Sequence, residues 1–141
     1  VLVCKMMTKP LGLRRNNPGN LRYSPRNQWR GSTYRSGAFE QFSTMAYGYR
    51  ALLITLRTYM QKYRLTTVGD LVTRWAPPED HNDTEAYVRF VERKTGFHRW
   101  QELRCDQDTL IALASAISHQ ENGVPAVLSE VEEGWNLVSS E

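Results

Sequence analysis

The chain has 141 residues, 40% of them apolar and 23% charged, with a formal net charge of +3. That length supports one domain with one core and is short for two, so a single domain over residues 1–141 is expected. No stretch approaches the roughly 18 uninterrupted apolar residues of a spanning helix, so the sequence predicts a soluble protein without membrane insertion.

The start, VLVCKMM, is too short for the apolar region of a signal peptide, and no small-residue cleavage site follows. Residues 1–13 are expected to be a flexible tail, and secretion through a classical signal is not supported. Residues 14 to 42 are rich in Asn, Pro, Gly, Ser and Arg. "NNPGN" and "RGS" read as turns between short extended pieces at 20–23 and 38–42, which gives a loop and short-strand subdomain. Arg14, Arg15, Arg22, Arg26, Arg30, Arg35 and Arg50 crowd the first fifty residues, interleaved with Tyr23, Trp29 and Tyr34. This mixture suits an anionic or sugar-bearing polymer; the plainer reading is a solvated loop surface. Nucleic acid is not an expected partner, because the net charge is small and no recognition motif is present.

From Thr44 the period becomes helical, with Met45, Tyr49, Leu52, Leu53, Leu56, Tyr59, Met60 and Tyr63 on one side of a long central helix. Thr67, with Asp70 three residues on, opens a short helix that runs to about Trp75 and stops at "APP". Asp83 starts another, with Ala86, Tyr87, Phe90 and Val91 as its apolar set and Gly96 as its stop. A further helix begins at Asp106 or Asp108 and ends at Gly123, and "VPAVLSEVEEGW" predicts one more short helical turn. The class is mainly α (α+β), a helical domain with a small loop and short-strand subdomain.

The helix before Gly123 carries an anomaly. Leu110, Leu113, Ala114, Ile117 and Glu121 lie at i, i+3, i+4, i+7 and i+11, so a carboxylate shares the face of the core residues. The negative pole of the helix dipole and partial burial both favour the protonated form that a general acid requires. The plainer reading turns Glu121 out to solvent or pairs it with an arginine. Glu40, in "AFEQF", is a second candidate: alternation sets Glu40 and Phe42 on one side of a strand and Phe39 and Gln41 on the other. Glu79, Asp80 and Asp83 near "WAPP" are sources of a further carboxylate, with Asp83 better suited to capping a helix.

Metal chemistry is not indicated. His81, His98 and His119 make no i, i+4 pair, there is no HExxH or CxxC, and Cys4 and Cys105 lie far apart. No cofactor is expected, and a disulfide between the two cysteines is unforced.

"RRNNPGNLR", Trp29-Arg30-Gly31, "AFEQF" at 38–42, "YGYRAL" at 47–52, "WAPP" at 75–78 and "NDTEAYV" at 82–88 together resemble a family of phage and bacterial proteins with the motif NNPGNIR, often described as phage structural proteins. The match covers roughly residues 14 to 123. The same segments are more distantly similar to lysozyme-like peptidoglycan glucosaminidases and lytic transglycosylases. In those enzymes a helix ending in a catalytic Glu precedes a segment like "NPGNLR", whereas here "LASAISHQENG" comes last, so the resemblance implies a circularly permuted lysozyme-like domain. His81 stands where an acidic residue commonly precedes "NDT".

The resemblance implies cleavage of peptidoglycan glycan strands, with Glu121, and Glu40 as the alternative, as the catalytic carboxylates. Asn16, Asn17, Asn20, Arg22, Tyr23, Trp29, Tyr47 and Trp75 are the implied substrate-binding residues. The amides would meet N-acetyl and hydroxyl groups, and the aromatics would stack on sugar faces. The asparagines can equally brace their own turn. The expected partner is bacterial peptidoglycan, met in the periplasm or wall after delivery by a phage particle, lysis or a specialised secretion system, with an inhibitor or immunity protein as a further partner. The alternative is a non-catalytic virion or wall-binding module of the same shape.

Overall fold

Helix starts follow the side chains that can satisfy a first turn. In the computed structural model, which describes residues 9 to 139, Thr44, Thr67, Asp83 and Asp106 accept hydrogen bonds from the backbone N–H of Tyr47, Asp70, Ala86 and Thr109. Gly96 and Gly123 end two of the resulting helices in the left-handed region, at φ 78° and 74°. The helices among the described residues are α1 (Leu11–Arg14), α2 (Met45–Gln61), α3 (Val68–Trp75), α4 (Thr84–Thr95), α5 (Gln107–Asn122) and α6 (Leu128–Ser139), with a 3-10 turn at Pro78–Asp80. The fold is mainly α, and none of these helices is long and apolar enough to cross a membrane.

Helix α2 is the axis. Leu52, Leu53 and Leu56 are fully buried on it, and α6 packs along it more extensively than any other pair of helices pack together. Gly134 permits that approach: a Cβ there would lie 2.6 Å from Tyr49 Cβ and 3.0 Å from Ala46 O. On the other side α5 contributes Leu110, Leu113, Ala114 and Ile117 to the same core, and the hydroxyls of Tyr49 and Ser118 meet at 2.8 Å between α2 and α5. Helices α3 and α4 close the remaining side through Val68, Leu71, Val72, Val88 and Val91.

Four expectations change. The short strands reduce to isolated antiparallel bridges, Arg22 with Phe39, Ser32 with Phe42 and Ser36 with Phe39, and no regular strand forms among the described residues. Asn17 supplies the reason. Its side chain takes the Leu21 N–H and donates to the carbonyls of Leu21 and Glu40, using the groups that a longer ladder would pair. Residues 11–13, expected in the tail, lie in α1 with Gly12 buried. The C-terminal segment is a full twelve-residue helix because its apolar stripe has α2 to pack against. Tyr63, placed on the central helix by periodicity, falls beyond its end and is exposed.

Between α4 and α5 a loop is fastened by one arginine. Arg99 donates to both carboxylate oxygens of Glu85 at 2.7 Å and to Glu92 at 3.1 Å, its N–H donates to Glu92 at 2.7 Å, and its carbonyl accepts from Gly69. The guanidinium holds both carboxyls below the usual carboxylate range, with His98 adding to the effect on Glu92. A depressed folded pKa means that this stabilisation is complete above the ordinary carboxylate range and is lost as pH falls through the folded value. The Gly69 N–H should therefore exchange with solvent faster under acid than the core amides of α2, as NMR hydrogen exchange would measure. For the helix packing, Gly134→Ala should cost about 1–3 kcal/mol by overpacking, read as a lower denaturant midpoint with an unchanged slope.

Candidate functional site

The carboxylate at the end of α5 is not free. Glu121, half-buried, accepts from Asn20 Nδ2 on one oxygen at 2.9 Å and from the Tyr87 hydroxyl on the other at 3.0 Å. Asn20 reaches it because the turn after α1 bends sharply, with Asn16 and Asn20 both left-handed at φ 52° and 51°. Tyr87 reaches it from α4 and is 5% exposed. Burial first, then the Glu121 charge and the hydrogen bond to it, push the phenol well above its ordinary value, so the hydroxyl remains a donor.

The turn itself is locked to the same helix end. Asn122, the neighbour of Glu121, is buried and donates from Nδ2 to the carbonyls of Pro18 and Ser118, both at 2.9 Å. Two carbonyl acceptors fix the amide's orientation, leaving its Oδ1 buried without a hydrogen bond. Segment 14–23 is thus packed on the C-terminal end of α5.

Glu121 lines a cleft of about 670 Å³. Gly19, Asn20, Leu21 and Arg22 border it from the turn, Arg15 and Phe39 from beside it, Tyr59 from α2, Arg74 and Trp75 from α3, and Asp80 and Asn82 from the loop before α4. The rings of Tyr59 and Trp75 meet edge to face at 6.1 Å. Arg15 and Arg22 lie 4.6 and 5.3 Å from the centre of the Phe39 ring, and Arg74 lies 5.3 Å from that of Tyr59. None of the three makes a salt bridge among the described residues. Two carboxylates and three guanidiniums therefore share one cleft bordered by the rings of Phe39, Tyr59 and Trp75.

Of the residues singled out by sequence, Glu121, Asp80, Asn20, Arg22 and Trp75 come together here. Asn16 and Asn17 do not. Asn16 donates to Phe42 O, Asn17 is fully buried within its own turn, and both brace the loop that carries Asn20. Glu40 is 1% exposed on the side away from the cleft, accepting from Ser32 Oγ at 3.0 Å, while its neighbour Phe39 faces the cleft. The alternation was as expected, but the cleft lies on the other side of it. Tyr23 is exposed beneath Arg35, Tyr47 lies against Gly31 with Arg30 over its ring, and Trp29 borders a separate depression with Arg26 and Arg50. Asp83 caps α4, and His81 ends the 3-10 turn with φ 62°. No group of three or more His, Cys, Asp or Glu among the described residues could hold a metal. Cys105 is a free thiol, and Cys4 lies outside the described residues.

Tyr87, Arg15, Arg74 and Tyr59 were not read as site residues. Tyr87 and Tyr59 follow apolar periodicity and look like core. The clue for Tyr87 is that a buried phenol needs an acceptor, and Glu121 is the carboxylate sharing an apolar face.

Removing the amide that ties turn to helix tests the construction. Asn122→Ala should cost about 2 kcal/mol, because the buried Pro18 carbonyl loses its donor, and should loosen Asn20 from Glu121. Denaturant unfolding, with the Asn20 side-chain amide followed by NMR, would measure both.

No family model matches the chain. Over 129 residues it is 40% identical to "Protein P5" of Pseudoalteromonas phage PM2, an alignment covering 88% of this chain and 79% of that protein. The chain belongs to the family of this phage protein.

Proposed function

We propose that the protein cleaves the glycan strands of bacterial peptidoglycan, with Glu121 as general acid and then base. The observation that carries this reading is a half-buried carboxylate at a helix end, held on both oxygens by Asn20 and Tyr87 and opening on a cleft with aromatic edges. In its protonated form Glu121 gives its proton to the glycosidic oxygen as the C–O bond breaks, and positive charge develops on the sugar ring. Asn20 and Tyr87 fix the position of the carboxyl group at the cleft. Arg15, Arg22 and Arg74 suit the acidic substituents of a peptidoglycan strand. The wall would be reached from a phage particle or during lysis, which accords with the phage relative.

With Glu121 alone, a lytic transglycosylase is the economical form. The same carboxylate takes the proton of the sugar's own 6-hydroxyl as that oxygen bonds to the ring carbon, so an anhydro sugar forms and no water is consumed. Asp80 is the other acidic residue lining the cleft and the candidate to activate water in a hydrolase.

The alternative, a non-catalytic virion or wall-binding module, draws on the same contacts. Glu121 joins the N-terminal turn, α4 and α5, which is also what a purely structural clasp would do.

Glu121→Gln separates the readings. The amide can still accept from Asn20 and donate to the Tyr87 oxygen, so the fold should persist while cleavage of purified peptidoglycan falls about 100- to 10,000-fold. A wild-type protein that binds peptidoglycan without releasing fragments would establish the structural reading. Product masses decide the chemistry: anhydro-muropeptides are lighter by one water than hydrolysed ones. Asp80→Asn should leave a transglycosylase active and should disable a hydrolase that depends on Asp80.

A further inference from the structure

Trp100 is the residue that the Glu121 cleft does not explain. Among the described residues it is one of the most exposed large apolar side chains, at 62%, on a loop that is unusually well fastened. Arg99 clamps that loop to Glu85 and Glu92 of α4, and the Gly69 N–H binds its backbone to α3. The indole lies flat enough on Gly69 that a Cβ there would come within 2.7 Å of the ring. Ordering an exposed indole costs conformational freedom and leaves apolar surface in water, so three ionic hydrogen bonds and a glycine here hold a platform in place for something else.

The platform edges a second depression, of about 410 Å³, lined also by Thr73, Asn82, Asp83 and Arg99. Asn82 borders both this depression and the Glu121 cleft. Its Nδ2 donates to Pro77 O, while its Oδ1 accepts no hydrogen bond among the described residues. The lining chemistry selects the occupant. Asp83 and Glu85 supply negative charge, and the charge of Arg99 is already met by Glu85 and Glu92, so a phosphate backbone finds no free cation here. An exposed ring beside the Thr73 hydroxyl, the Asn82 amide and carboxylates that can accept from hydroxyls fits a sugar face.

We propose that Trp100 is a distal sugar subsite, on which an N-acetylated aminosugar ring of the same strand stacks after the strand crosses Asn82 from the Glu121 cleft. The subsite rests on the glycan-cleaving reading for its substrate class, but it is a binding claim and does not require turnover. It makes Trp100 a determinant of preference for long strands over short ones.

The test uses the full chain carrying Glu121→Gln, so that ligand is not consumed, with N-acetylglucosamine oligomers from the dimer upward and peptide-free glycan strands as probes in calorimetry. Affinity should rise with oligomer length until the ligand spans both depressions. Adding Trp100→Ala should abolish that rise, weakening the longest ligands about tenfold and leaving the dimer unchanged, while Trp100→Phe should restore part of it. Because the indole is mostly exposed, circular dichroism should show both variants folded. An unchanged length dependence in the Ala variant, an equal loss for short and long ligands, or no binding of any oligomer would overturn the subsite. Cleavage by the protein with Glu121 intact is measured in parallel. Length-dependent binding without cleavage keeps the subsite and removes the catalytic role of Glu121; cleavage with the same length preference in Trp100→Ala does the reverse.

Discussion

Two buried asparagine side chains hold the molecule in its working shape. Asn17 replaces rungs of a missing sheet with its own amide, and Asn122 ties the resulting turn to the end of α5 through the Pro18 carbonyl. Burying a polar group is costly unless it is partnered, and here the amides' hydrogen bonds run to backbone groups: the Leu21 N–H and the carbonyls of Leu21, Glu40, Pro18 and Ser118. The irregular segment after α1 is therefore as well determined as the helices, although it has no strand and little apolar surface of its own. Loosening either amide would free the turn, and with it Asn20.

What the turn delivers is a carboxylate with both oxygens assigned. Asn20 comes from the turn, Tyr87 from α4 and Glu121 from α5, so three separately folded pieces must agree before the constellation exists. The electrostatics around it are mixed. Arginines stacked on Phe39 and Tyr59 keep positive charge at the cleft without neutralising Glu121 through a direct ion pair, because their guanidiniums are held on aromatic faces. The cleft therefore sets positive and negative charge side by side, with no salt bridge between them among the described residues.

Much of the helical frame was legible from local rules. Thr67, Asp83 and Asp106 are caps whose partners lie three residues on, and Gly96 and Gly123 are stops, so short-range chemistry fixes those boundaries. Glu121 was legible because a carboxylate at i+11 of an apolar stripe contradicts the stripe. Glu40 was misjudged for a different reason: alternation gives two sides, but which side is open depends on where α2 and α3 lie, and that is tertiary information. Tyr87 and Tyr59 were hidden because a tyrosine satisfies the apolar pattern with its ring and reveals its function only through a hydroxyl or an exposed edge. The length of α6 was hidden as well, since a modestly apolar segment becomes a long helix only when α2 offers it a face.

The closing contact of the site spans 101 positions of sequence, from Asn20 to Glu121. Such a contact carries a loop-closure cost that grows only slowly with separation, so the chain between the two ends can be long, or rerouted, without much penalty to the site. The site's geometry is secured by hydrogen bonds across the join, from Asn122 to the Pro18 carbonyl and from Asn20 to Glu121. A glutamate-bearing helix late in the sequence can meet an asparagine turn near residue 20 for that reason.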